Sequence, residues 1–114
     1  MFRPLSLVIT ILCLPFLLIA QLSIHIQSLS SNTPYESNIF IAGNFNDWAS
    51  GSPDYQLQAN ELGVLEIDLD LAPGIIQFKF TRGSWDTVEG AADGDFIPNR
   101  IYEYSGGLDT VRLS

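Results

Sequence analysis

Four side chains offer chemistry that suits a ligand: Trp48, Lys79, Trp85 and Asn99. Trp48 stands among Asn46, Asp47, Ala49 and Ser50, and Trp85 among Gly83, Ser84 and Asp86, so both indoles fall in polar loop sequence. A flat indole presents apolar faces rich in negative π density. One face of a pyranose ring is a patch of slightly positive C–H groups, and a pair of exposed indoles makes a platform for it. If each indole lost ~100 Å² of apolar surface, the gain would be about 2.5 kcal/mol apiece. Association entropy offsets much of this, which leaves weak binding, with a Kd of roughly micromolar to millimolar.

The sugar hydroxyls then need partners at the rim. Lys79 is the only lysine in the chain and precedes the Trp85 loop on the polar side of a strand. The Asn99 amide donates and accepts at once, which suits vicinal hydroxyls. Each residue also has a plainer role: core packing for a tryptophan, solvation for Lys79, and a turn after Pro98 for Asn99. Two tryptophans in polar loops favour the ligand-binding role.

Strands must position these groups. No long stretch after Ala20 has helical periodicity; short alternating runs separated by turn residues appear instead. LSIHIQSL alternates Leu22, Ile24 and Ile26 with Ser23, His25 and Gln27. NIFIAG is a compact apolar strand that feeds the Trp48 loop. YQLQ is a short strand and NELG a turn. VLEIDLDL sets Leu65, Ile67, Leu69 and Leu71 against Glu66, Asp68 and Asp70, the pattern of a strand with one wet face. Pro73-Gly74 turns the chain into IIQFKFTR, where Ile76, Phe78 and Phe80 face inward and Gln77, Lys79 and Thr81 outward. A long loop carries Trp85, with a strand fragment at Thr87-Val88, and RIYEYS and DTVRLS close the domain. About seven short strands at this spacing predict an all-β fold, an antiparallel immunoglobulin-like sandwich over residues 21–114.

Residues 1–20 read as a secretory signal helix: Arg3, then an apolar run from Leu5 to Ala20 interrupted by Pro15, with cleavage expected after Ala20. The expected location is secreted, periplasmic or cell-envelope, with no membrane attachment once the signal is removed. Cys13, the only cysteine, lies inside that segment, so the mature domain relies on its core rather than on disulfides. Loss of Arg3 with the signal leaves four basic residues against thirteen acidic ones, a net charge of −9. Such a surface repels nucleic acid and anionic membranes, and imposes no penalty on a neutral sugar.

Catalytic chemistry finds little footing. The chain has neither a G-x-S-x-G elbow nor a mature cysteine nucleophile. His25 reads as a solvated strand residue, and Glu66, Asp68 and Asp70 as a solubilising face. Asp93-Gly94-Asp95 lacks the ligand spacing of a calcium loop, so neither a metal nor another cofactor is expected. The expectation is a binder rather than an enzyme.

IFIAGNFNDW resembles the V-x-G-x-F-N-x-W opening of the glycogen- and starch-binding domains of carbohydrate-binding module family 48. LDLAPGIIQFKF resembles their L-P-x-G-x-x-x-Y-K-F hairpin, and SWDTVEG with IPNRIYEY is similar to the W-E-x-x-P-N-R-x-Y close of starch-binding family 20. The motifs occur in the same order and span about Leu22 to Leu113. The resemblance implies an α-glucan partner, with Trp48 and Trp85 as the platform and Lys79 and Asn99 on its hydroxyls. It also implies a separate glycoside-active protein as a possible second partner. Twelve residues, DTVEGAADGDFI, separate Trp85 from Pro98, where family 20 has only a few. That insertion, with Phe96 inside it, is the segment able to cover or re-aim Trp85. The competing expectation is an immunoglobulin-like structural or protein-interaction domain that has lost sugar binding.

Overall fold

Seven strands form two facing sheets in a computed structural model that describes residues 20–34, 36–91 and 93–114. The strands are β1 (Gln21–Ile26), β2 (Phe40–Gly43), β3 (Gln58–Ala59), β4 (Leu65–Leu69), β5 (Gly74–Thr81), β6 (Arg100–Tyr104) and β7 (Leu108–Leu113). One sheet has the order β3-β4-β1-β7 and the other β2-β5-β6. The predicted signal segment lies outside the described residues except for Ala20.

The period-two patterns settle the faces. Along β1, Leu22, Ile24 and Ile26 are buried, and across the antiparallel pairing to β4 they meet Leu69, Ile67 and Leu65. The opposite sheet answers with Ile41, Ile76, Phe78, Phe80 and Tyr104. Each of these large apolar side chains stabilises the fold by about 1.5–3 kcal/mol on burial. Phe78 and Phe80 meet edge to face at 5.6 Å, a favoured aromatic geometry. Buried Tyr104 donates its hydroxyl to the Gly107 carbonyl at 2.5 Å, so its polar end is satisfied. The Tyr102 hydroxyl donates to Asp109; that hydrogen bond, with desolvation and the carboxylate charge, raises the phenol pKa.

Three details differ from the sequence reading. Thr81, expected to face outward, is buried, with its hydroxyl turned to the Ser50 carbonyl. The first and last strands, β1 and β7, pair in parallel, whereas the other ladders are antiparallel. A parallel neighbour needs a long crossover, and here the whole domain lies between the two strands. Within YQLQ, Tyr55 ends a 3-10 turn begun at Pro53, Gln56 makes an isolated bridge to Phe40, and the ladder to β4 starts at Gln58. Proline presets the turn conformation and cannot donate to a ladder, so the strand starts later than the apolar pattern suggests.

Candidate functional site

The β2-β5-β6 sheet turns one face outward, and the four candidate residues lie on it or at its margins. Along β5, Ile76, Phe78 and Phe80 are buried, so Gln77 and Lys79 point away from the core. Lys79 stands opposite Ala42 of β2, and Gln77 opposite Ile101 of β6.

Trp48 is held outward by the tight loop after β2. Residues 44–48 form a continuous turn in which Trp48 N–H donates to the Gly43 carbonyl at 3.0 Å. The Asn46 side chain fastens the turn from inside: its Oδ1 accepts from Gly43 N–H at 2.9 Å and its Nδ2 donates to the Ile41 carbonyl at 3.2 Å. Phe45 packs against the core and lies 5.8 Å from the Tyr55 ring. Asp47 and Trp48 both have positive φ, 54° and 58°. Such non-glycine conformations cost of order 1–3 kcal/mol each and persist only where surrounding contacts enforce them. Here Phe45 and Asn46 are those contacts, and they leave the indole half-buried at the surface.

Trp85 opens a single 3-10 turn, Trp85–Thr87, that follows β5. The turn is closed at its base: Arg82 N–H donates to the Thr87 carbonyl at 3.2 Å, and Glu89 N–H to the Phe80 carbonyl at 2.9 Å. Thr81 and Val88 bridge as the strand fragment predicted at Thr87-Val88. The indole is 43% exposed.

The two loops are pressed together. The Thr81 hydroxyl donates to the Ser50 carbonyl. A Cβ at Gly51 would collide with the Gly83 carbonyl oxygen, so glycine permits the approach. The clasp brings the rings of Trp48 and Trp85 to a centroid distance of 6.4 Å with their planes inclined at 43°. Together they make an angled aromatic surface.

The first residues of the insertion complete the Trp85 turn, and the rest leaves the sheet only after that turn has closed. Glu89 anchors its start: Arg100 Nε and Nη2 donate to the Glu89 carboxylate at 2.8–3.1 Å, Glu89 Oε1 accepts from Phe80 N–H at 3.2 Å, and Arg100 lies 5.5 Å from the Phe80 ring centroid. Beyond Glu89 the chain makes a small hairpin bridged at Gly90 and Phe96, then returns into β6. Phe96 is 87% exposed, so its ring stays with solvent.

Asn99 follows the insertion, after Pro98, and its Nδ2 donates to Gln77 Oε1 at 3.4 Å. The fold thus brings the two tryptophans together, and separately Asn99 with Gln77. Lys79 lies on β5, two residues from Gln77. Gln77 is a further outward-facing polar residue beside these candidates, two positions from Lys79 on β5.

Other polar groups lie elsewhere. His25 pairs with Glu66 across β1 and β4, Nε2 to Oε2 at 3.3 Å, on the outer side of the other sheet. Among the described residues, no group of three or more His, Cys, Asp or Glu side chains is placed to hold a metal ion.

No family model matches the chain. Over 88 residues, 76% of its length, the chain is 39% identical to a segment of an alpha-amylase from Niallia circulans, and it spans only 7% of that enzyme. Among solved structures, it matches the glucoamylase of Hormoconis resinae with a TM-score of 0.52 and 18% identity, over 84% of this chain and 17% of that one. The chain is therefore homologous to a small part of an amylolytic enzyme and shares a fold with part of another, in agreement with its resemblance to starch-binding domains. No helix among the described residues is long and apolar enough to cross a membrane.

Proposed function

We propose that this domain is an exported, non-catalytic carbohydrate-binding module for α-glucan of the starch or glycogen type. Trp48 and Trp85 stack on the apolar faces of successive glucose units, and Lys79 and Asn99 hydrogen-bond their hydroxyls. The observation that carries this reading is the aromatic pair itself, two indoles 6.4 Å apart on clasped loops. The inclination of 43° between the planes suits a chain that turns from one glucose to the next.

Homology to a segment of an alpha-amylase supports the sugar class. The apolar run of residues 1–20 supports export. The exposure of Trp85 favours a ligand over a buried, purely structural role. A separate glycoside-active protein is a further partner consistent with this role.

Migration of the domain in native gels cast with glycogen or amylopectin tests the proposal. Retardation relative to a plain gel is expected, without release of reducing ends from starch. Unretarded migration overturns the binding role, and released reducing ends overturn the non-catalytic one.

A further inference from the structure

Asn99 is the last residue before β6, outside the ladder, and the bond that orients its side chain is the one to Gln77. Gln77 is fixed from both sides. Asn44, just beyond β2, accepts from Gln77 N–H through Oδ1 at 3.2 Å and donates its own N–H to the Gln77 carbonyl at 3.0 Å. Asn44 Nδ2 also donates to the Ile75 carbonyl at 3.0 Å. On the other side, Gln77 stands opposite Ile101 in the β5–β6 ladder. The side chain therefore leaves a backbone that is tied to both neighbours, on the outward face that carries Lys79.

We infer that Gln77 is a positioning and specificity residue of the sugar site: it aims the Asn99 amide at the glucan and adds donors of its own. This rests on the α-glucan reading above. The donor and acceptor inventory is the argument. Asn99 spends one N–H on Gln77 and keeps its Oδ1 to accept from a hydroxyl. Gln77 spends an Oε1 lone pair and keeps both Nε2 hydrogens. Lys79, two residues along the same face, only donates. Gln77 and Lys79 project about 6.6 Å apart along the strand, so the Asn99–Gln77 pair and Lys79 offer both donors and an acceptor on one face. A ligand with vicinal hydroxyls matches such a set; one offering acceptors alone leaves the Asn99 carbonyl unpaired, at a cost in affinity.

The test is a double-mutant cycle on maltoheptaose binding, by calorimetry, with wild type, Gln77→Val, Asn99→Ala and the double variant. Valine suits a strand and cannot accept from Asn99; thermal unfolding of each variant checks the fold. Gln77→Val is expected to weaken binding about five-fold in the wild-type background and distinctly less once Asn99 is alanine. Unchanged affinity in Gln77→Val, or equal losses in both backgrounds, overturns the inference while leaving the α-glucan reading intact. Absence of maltoheptaose binding by the wild type removes that reading, and this inference with it.

Discussion

Gly51 and Gly83 fix how closely the two tryptophan loops can approach. A methyl group on Gly51 would press into the Gly83 carbonyl, a backbone atom that cannot swing aside. Gly51→Ala is therefore expected to destabilise the domain by about 1–3 kcal/mol, the usual cost of overpacking, and to weaken glucan binding by spreading the indoles. Thermal unfolding and calorimetric titration of the variant check both effects; an unchanged melting temperature with unchanged affinity would show that the clasp is slack. The surface placement of both tryptophans was legible in the sequence because polar neighbours such as those around Trp48 and Trp85 are rare in a core. The ring separation was not legible, since it depends on a backbone approach between glycines 32 positions apart.

Among the elements, the insertion after Trp85 was the largest departure from the family pattern. Its first residues close the Trp85 turn, and the remainder is a side excursion whose two ends Glu89 and Arg100 pin together. The Glu89 carboxylate, 17% exposed, also satisfies Phe80 N–H. Removing it leaves Arg100 without its partner and a part-buried amide without an acceptor. Glu89→Ala should cost about 2 kcal/mol, the scale of hydrogen bonds to a charged group, and should open the segment 90–99 to proteolysis. Limited digestion and denaturant unfolding are the measurements; resistance equal to wild type would contradict the pinning. Strands β1, β4 and β5 were legible because each buries one face, which imposes alternation; Thr81, buried beside Phe80 at the end of β5, breaks it where the two loops clasp. The two-residue strand β3 was misplaced because Pro53 starts a local turn that its pattern did not reveal. The parallel β1–β7 pairing was equally hidden, since alternation reports which face is buried and not which strand lies beside it.

At the scale of the molecule, acidity and ligand class belong together. Thirteen acidic residues face five basic ones in the full chain, yet a glucan is uncharged, and stacking with amide hydrogen bonds is little screened by salt. Raising ionic strength from about 50 mM to about 500 mM should change glucan affinity by less than about two-fold. A steep salt dependence would point to an anionic ligand recognised through Lys79. The sandwich was legible as a whole because seven short strands around one apolar core leave few alternatives for a domain of this size. The proposed ligand rests instead on the motifs and on homology to an amylase segment.

If Trp48 and Trp85 together form the proposed glucan surface, removing either indole must weaken binding. Native electrophoresis of the wild type, Trp48→Ala and Trp85→Ala, each in plain and glycogen-containing gels, measures this. Glycogen is expected to slow the wild type, and either substitution to abolish most of the slowing, with circular dichroism showing an intact β fold. Retardation that survives both substitutions would contradict the proposed surface.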